Sequence, residues 1–88
     1  METRVAVISI IITKDDSVDR LNDILHTYRQ QIIGRMGIPY RVKGINIICV
    51  VIDAPPDIIS SLSGKLGQLP GVSAKATYSS AIEGTCEK

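Results

Sequence analysis

From Arg4 to Ile12 the chain reads RVAVISIII, apolar and largely β-branched except for Arg4 and Ser9. A run this short and this branched suits a buried strand, β1, better than a helix. After TKDDS the spacing changes. Val18, Leu21, Leu25, Tyr28 and Ile32 recur at intervals of three and four, the rhythm of one helical face, and Asp16 or Ser17 stands where an N-cap belongs. This predicts a helix, α1, of about four turns. Ile32 to Arg41, IIGRMGIPYR, carries two glycines and a proline, which confine a strand to a sheet edge or a bulge, so β2 is expected at an edge. Ile45 to Asp53, INIICVVID, is apolar almost throughout and is expected as a central strand, β3.

The second helix, α2, is expected to begin at Pro56, whose ring suits the first helical position, with Asp57 complementing the helix dipole. Ile59, Leu62, Leu66 and Leu69 form its inward face. Gly67 is placed to stop the helix as a left-handed residue. Gly64 projects with Ser60 on the side away from Leu62 and Leu66, where glycine costs about 1 kcal/mol relative to alanine. It marks either a close contact or an early end of the helix, and the second reading is preferred. Pro70 and Gly71 fit the two central positions of a type II turn. Val72 to Tyr78 then alternates apolar and polar residues as a half-buried strand, β4. Residues 1–79 are expected to form a single domain, with 80–88 as a flexible C-terminal tail.

The order βαββαβ predicts an α+β fold, a ferredoxin-like two-layer sandwich whose antiparallel sheet has the order 4-1-3-2. Two helices cover one face of such a sheet. Yet β1 is apolar on both faces, Val5, Val7 and Ile11 alternating with Ala6, Ile8, Ile10 and Ile12, and β3 repeats this with Ile47, Cys49 and Val51 against Ile48, Val50 and Ile52. An apolar face left in water marks an interface. A homo-oligomer, dimer or tetramer, is expected, built face to face or edge to edge. The residues assigned to that interface are Gly34, Met36, Gly37, Ile48 and Val50.

Composition narrows the function. The chain has 88 residues, 44% hydrophobic and 22% charged, with a net charge of +1, so no basic field points to nucleic acid or an anionic membrane. The apolar runs are too short to span a bilayer and the N-terminus has no signal-peptide pattern, which predicts a cytoplasmic protein. Cys49 lies in an apolar run and Cys86 in a polar tail, so no disulfide is expected. RNA recognition on this topology needs aromatic residues on the central strands, and β1 and β3 have none.

The stretch SSLSGKLGQLPGV, Ser60 to Val72, contains a Gly-Lys pair but is no phosphate loop. The motif G-x-x-x-x-G-K-[ST] would need glycine at Ile59 and Ser or Thr at Leu66, and it would open a helix rather than close one. His26 is the single histidine, too few for a metal site with distant Cys49, and no Ser or Cys is paired with it for nucleophilic catalysis. No metal, no cofactor and no enzymatic activity are expected. The carboxylates Asp15, Asp16 and Asp19 and the pair Asp53 and Asp57 fall at opposite ends of the sheet, as cap and dipole residues. The topology does gather three loops at one end: Thr13 to Asp16, Arg41 to Gly44, and Gly67 to Gly71. Thr13, Lys14, Asp15, Arg41, Lys43, Gly67 and Gly71 are therefore the candidate site for a small anionic ligand, with ordinary solvated turns as the competing reading.

IIGRMGIPYR and DIISSLSGKLGQLPGVSAKATYS, with the β1 and α1 pattern ahead of them, closely resemble the small bacterial iron-only hydrogenase system regulators over residues 1–79. That family is similar in fold to ACT domains and to the nickel-binding C-terminal domain of the nickel-responsive repressor, both oligomeric ligand sensors. The resemblance implies an ACT-like fold and regulation rather than catalysis. The nickel ligand set has no counterpart in this sequence, and no ribbon-helix-helix segment precedes Arg4, so any role in transcription regulation is expected to run through a protein partner. Two functions follow: a ligand-sensing homo-oligomeric regulator, or an adaptor that binds another polypeptide through its apolar sheet face or the β2 edge.

Overall fold

The structure is a computed structural model that describes residues 2–79; the expected tail, 80–88, lies outside the described residues. The elements are β1 (Arg4–Ile12), a 3-10 turn (Asp15–Ser17), α1 (Val18–Thr27), β2 (Ile32–Tyr40), β3 (Ile45–Ala54), α2 (Pro56–Gly67) and β4 (Val72–Tyr78). The four strands form one antiparallel sheet in the order β2-β3-β1-β4, with β1 and β3 central and β2 and β4 at the edges. This is the split βαβ arrangement that the element order implies.

The period of two in β1 decides what is inside. Ala6, Ile8, Ile10 and Ile12 are buried, and on β3 so are Ile48, Val50, Ile52 and Ala54. Against them pack Leu21 and Leu25 from α1 and Ile59, Leu62 and Leu66 from α2. Each such side chain contributes about 1.5–3 kcal/mol on burial. With no Phe or Trp in the chain, β-branched residues and leucines fill the layer between sheet and helices.

Four local expectations are corrected. Ile32 does not extend α1. The helix ends at Thr27, and tight turns from Tyr28 N–H to the Leu25 carbonyl and from Ile32 N–H to the Arg29 carbonyl lead directly into β2. Ile32 then pairs with Ile52 across the sheet, a strand position that satisfies the same apolar spacing. Ser17 is not a side-chain cap: its hydroxyl donates to the carbonyl of Pro70 at 2.6 Å, and the residue is 1% exposed. A helix start is thereby tied to the turn that precedes β4.

Gly67 is the last helical residue rather than a left-handed stop. Gln68 and Leu69 donate to the carbonyls of Lys65 and Leu66, which closes α2 without a positive φ. The left-handed residue is Gly71, at φ 72°, and Val72 N–H donates to the Leu69 carbonyl across it, as a type II turn requires. Gly64 lies inside α2 on its exposed side, so the helix runs through it.

Candidate functional site

Ile12 pairs with Asn46 on one side and Val72 on the other, so the segments after β1, before β3 and before β4 meet at one end of the sheet. There Thr13 donates to the Gly71 carbonyl twice, from its backbone N–H at 2.8 Å and its hydroxyl at 3.1 Å. Asn46 Nδ2 donates to Asp15 Oδ1 at 3.2 Å and fixes the carboxylate beside the β2–β3 hairpin. The hairpin itself closes through Gly44 N–H to the Arg41 carbonyl, with Gly44 at φ 65°.

These contacts frame an open cleft of about 490 Å³ lined by Asp15, Pro39, Tyr40, Arg41, Gly44, Ile45 and Asn46. Of the seven residues expected to form a site, Asp15 and Arg41 line it. Thr13 and Gly71 are locked to each other, and Lys14 packs so closely over Gly71 that a Cβ there would meet its Cγ at 2.6 Å. These contacts hold the end of the sheet together. Lys43 sits at the exposed hairpin tip, outside the lining, and Gly67 lines a different shallow cavity with Ile11 and Lys75. Tyr40 and Asn46 are the residues that sequence reasoning missed. A polar Asn at the head of the apolar run INIICVVI was the available signal.

The second surface is the sheet face away from the helices. Its rows follow from the register: Ile38, Ile47 and Ile11; then Met36, Cys49 and Ser9; then Gly34, Val51 and Val7. Val5, Val7, Ile11, Met36 and Ile38 are between 37% and 58% exposed. On β4 the same face continues as Ser73, Lys75 and Thr77, so the apolar part is offset toward β2 and β3. Gly34 and Met36 from the expected interface set lie on it. Ile48 and Val50 do not: they point under the helices, 7% and 0% exposed, and Gly37, paired with Ile48, faces the helix side as well. Residues of β3 on the open face are Ile47, Cys49 and Val51.

Electrostatics are mild. Among the described residues no group of three or more His, Cys, Asp or Glu side chains is placed to hold a metal ion. The Tyr28 phenol is held below its usual value, chiefly by the hydrogen bond with the Ser61 hydroxyl and then by Lys65, whose ammonium lies 5.3 Å from the ring centroid; burial opposes the shift. Lys65 thus lies along an aromatic face with its charge in water. Among the described residues no helix is long and apolar enough to cross a membrane.

No curated protein matches the chain. Among solved structures, that of the uncharacterized protein TM1266 from Thermotoga maritima is similar with a TM-score of 0.84 and 33% identity, across 88% of this chain and 98% of that one. Residues 4–76 match the model of the TM1266-like family, described as "Iron-only hydrogenase system regulator, putative". That match starts at the first residue of β1 and stops two residues short of the end of β4, covering every element and both surfaces, and the chain belongs to the TM1266-like family.

Proposed function

We propose that this chain is a non-catalytic, ACT-like regulatory protein of an iron-only hydrogenase system, cytoplasmic, working as a homo-oligomer and sensing a small anionic ligand at the loop end of its sheet. The observation that carries the reading is the open face. Val5, Val7, Ile11, Met36 and Ile38 form a contiguous apolar surface that a monomer would hold in water, and burying it against a second copy supplies the driving force for assembly. The cleft beside Asp15 and Asn46 supplies the ligand-facing part. The Arg41 guanidinium presents a planar fork suited to a carboxylate or phosphate group. Ile38 and Tyr40 link cleft and face along β2, so a ligand on Arg41 bears on the strand that would meet the second copy.

Light scattering at micromolar concentration tests the assembly: a dimer or tetramer is expected, and a monomer would remove the basis for the reading. An Ile11→Asp substitution, which puts a charge in the middle of the face, is expected to give monomers of unchanged secondary structure. Calorimetric titration with small carboxylates and inorganic phosphate tests the cleft, with at least tenfold weaker binding expected for Arg41→Ala. A protein that assembles but binds no anion would keep the oligomer and reject the sensing role.

A further inference from the structure

Beside α1, on the helix-covered side of β2, runs a groove that the proposed function does not use. It has two compartments of about 250 Å³ each, on either side of a hydrogen bond from Arg35 Nη2 to Asn22 Oδ1 at 2.9 Å. One is floored by Leu25 and Ile32, the other by Ile12 and Ile48. Among the described residues no Asp or Glu lines either compartment, whereas Arg29 and Arg35 stand at the rim. Their hydrogen bonds go to a backbone carbonyl and a neutral amide, so neither charge meets a carboxylate among the described residues.

The compartment floored by Ile12 and Ile48 is kept open by Gly37. This residue pairs with Ile48 on the helix side, in the interior of a strand, where glycine is unfavourable. It has no positive φ, since Gly44 and Gly71 are the described glycines that do. A Cβ added at Gly37 would meet only Ile48 Cγ1, at 3.9 Å, an ordinary contact. Neither backbone strain nor crowding calls for glycine here. The remaining physical reason is access, because a glycine in a strand lets another chain approach closely.

We propose that this groove is a docking site for an extended, acidic segment of a partner protein, with apolar side chains in the two compartments and carboxylates on Arg35 and Arg29. The dimensions favour a peptide over a metabolite. Each compartment, at about 250 Å³, falls below the roughly 300 Å³ at which small-molecule pockets begin, yet takes one side chain, and β2 from Ile32 to Pro39 runs about 23 Å, the span of about seven or eight extended residues. A carboxylate meeting an unpaired guanidinium supplies charge complementarity and a bidentate geometry. Arg35, Gly37 and Ile48 lie on the helix side of the sheet, while Ile38 and Ile47 are shared between the second compartment and the open face.

Selection from a displayed library of random octapeptides, with the whole protein as bait, tests this. Enrichment of peptides that alternate apolar residues with Asp or Glu is expected. A representative synthetic peptide should bind Arg35→Glu at least tenfold more weakly. It should not bind Gly37→Leu, a variant that fills the groove and whose melting temperature is expected to equal or exceed that of the parent. Amide shifts on titration should fall at residues 22–29 and 35–38. Failure to enrich, enrichment of basic peptides, undiminished binding to Gly37→Leu, or shifts confined to Val5, Val7 and Ile11 would each overturn the proposal.

Discussion

Two glycines seven residues apart should respond to alanine with opposite signs. Gly64 is inside α2 with an ordinary helical backbone, exposed, and with nothing within 4 Å of an added Cβ. Replacing it removes the entropic penalty of glycine in a helix, a gain of about 0.5–1 kcal/mol. Gly71 is at φ 72°, where a Cβ costs about 1–2 kcal/mol from backbone strain alone. The added atom would also lie 2.9 Å from Lys14 Cβ, which is fixed to the main chain, and 2.9 Å from Thr13 Oγ1, which can turn away only by giving up its hydrogen bond to the Gly71 carbonyl. Relieving that overlap pulls on the two hydrogen bonds from Thr13 to the Gly71 carbonyl, for a total near 2–3 kcal/mol. For a domain this small, 1 kcal/mol moves the melting temperature by about 4–8 °C. Gly64→Ala is therefore expected to melt several degrees higher, and Gly71→Ala about 8 °C lower or more. Thermal and urea denaturation at matched protein concentration measure both. A neutral Gly71→Ala, or a Gly64→Ala that loses more than about 1 kcal/mol, would refute the assignment of turn and helix.

Ser17→Ala is expected to cost about 1 kcal/mol in urea denaturation, the net worth of its buried hydrogen bond to Pro70. Ser17→Asp separates this role from capping: an aspartate caps as well as serine but would set a carboxylate against the Pro70 carbonyl, so it should be the more damaging change, and a neutral result would restore the capping role. Tyr28 ionises below 10 in the folded protein. Between that folded value and about 10, the unfolded chain holds the extra proton, so stability rises with pH there, is fully present above the unfolded value, and is lost as pH falls through the folded one. Tyr28→Phe should abolish that alkaline rise and remove the tyrosinate absorbance that Tyr28 develops below its ordinary value; an unaltered absorbance titration in the variant would contradict it. Gly34→Val places a branched side chain on the open face at a position with nothing within 4 Å, which raises strand propensity by up to about 1 kcal/mol while obstructing a second copy. Weaker association with a higher melting temperature at low concentration is expected, and unaltered association would exclude Gly34 from the interface.

The elements were legible because their signals are local. The three-and-four spacing of Val18, Leu21 and Leu25, the branched runs of β1 and β3, and Pro56 at the head of α2 each act within a few residues of themselves. Tertiary partners were not legible. Ser17 in DDSVDR has the sequence context of an N-cap, and nothing near it announces Pro70, fifty-three residues away, as its acceptor. Gly67 and Gly71 both lie near the end of α2, and the positive φ went to the one that the turn after Pro70 demanded. The cleft was half legible: the topology gathers Asp15 and Arg41, but Tyr40 and Asn46 enter only through the β2–β3 register.

The face assignment of β3 failed for a different physical reason, and it bears on how the protein is used. A strand that alternates apolar with polar residues declares its inner face; INIICVVID does not, because Ile47, Cys49 and Val51 are as apolar as Ile48, Val50 and Ile52. That degeneracy is what the proposed assembly rests on, since a strand apolar on both faces suits a sheet covered on both. The helices cover one. On β2, Gly34 adjoins the register shift after Ile32, a bulge of the kind at which glycine is common, whereas Gly37 lies in regular pairing where neither φ nor crowding requires glycine. Glycine at position 37 costs the isolated domain strand stability without relieving strain or crowding there, and that imbalance is the argument for the docking groove proposed above.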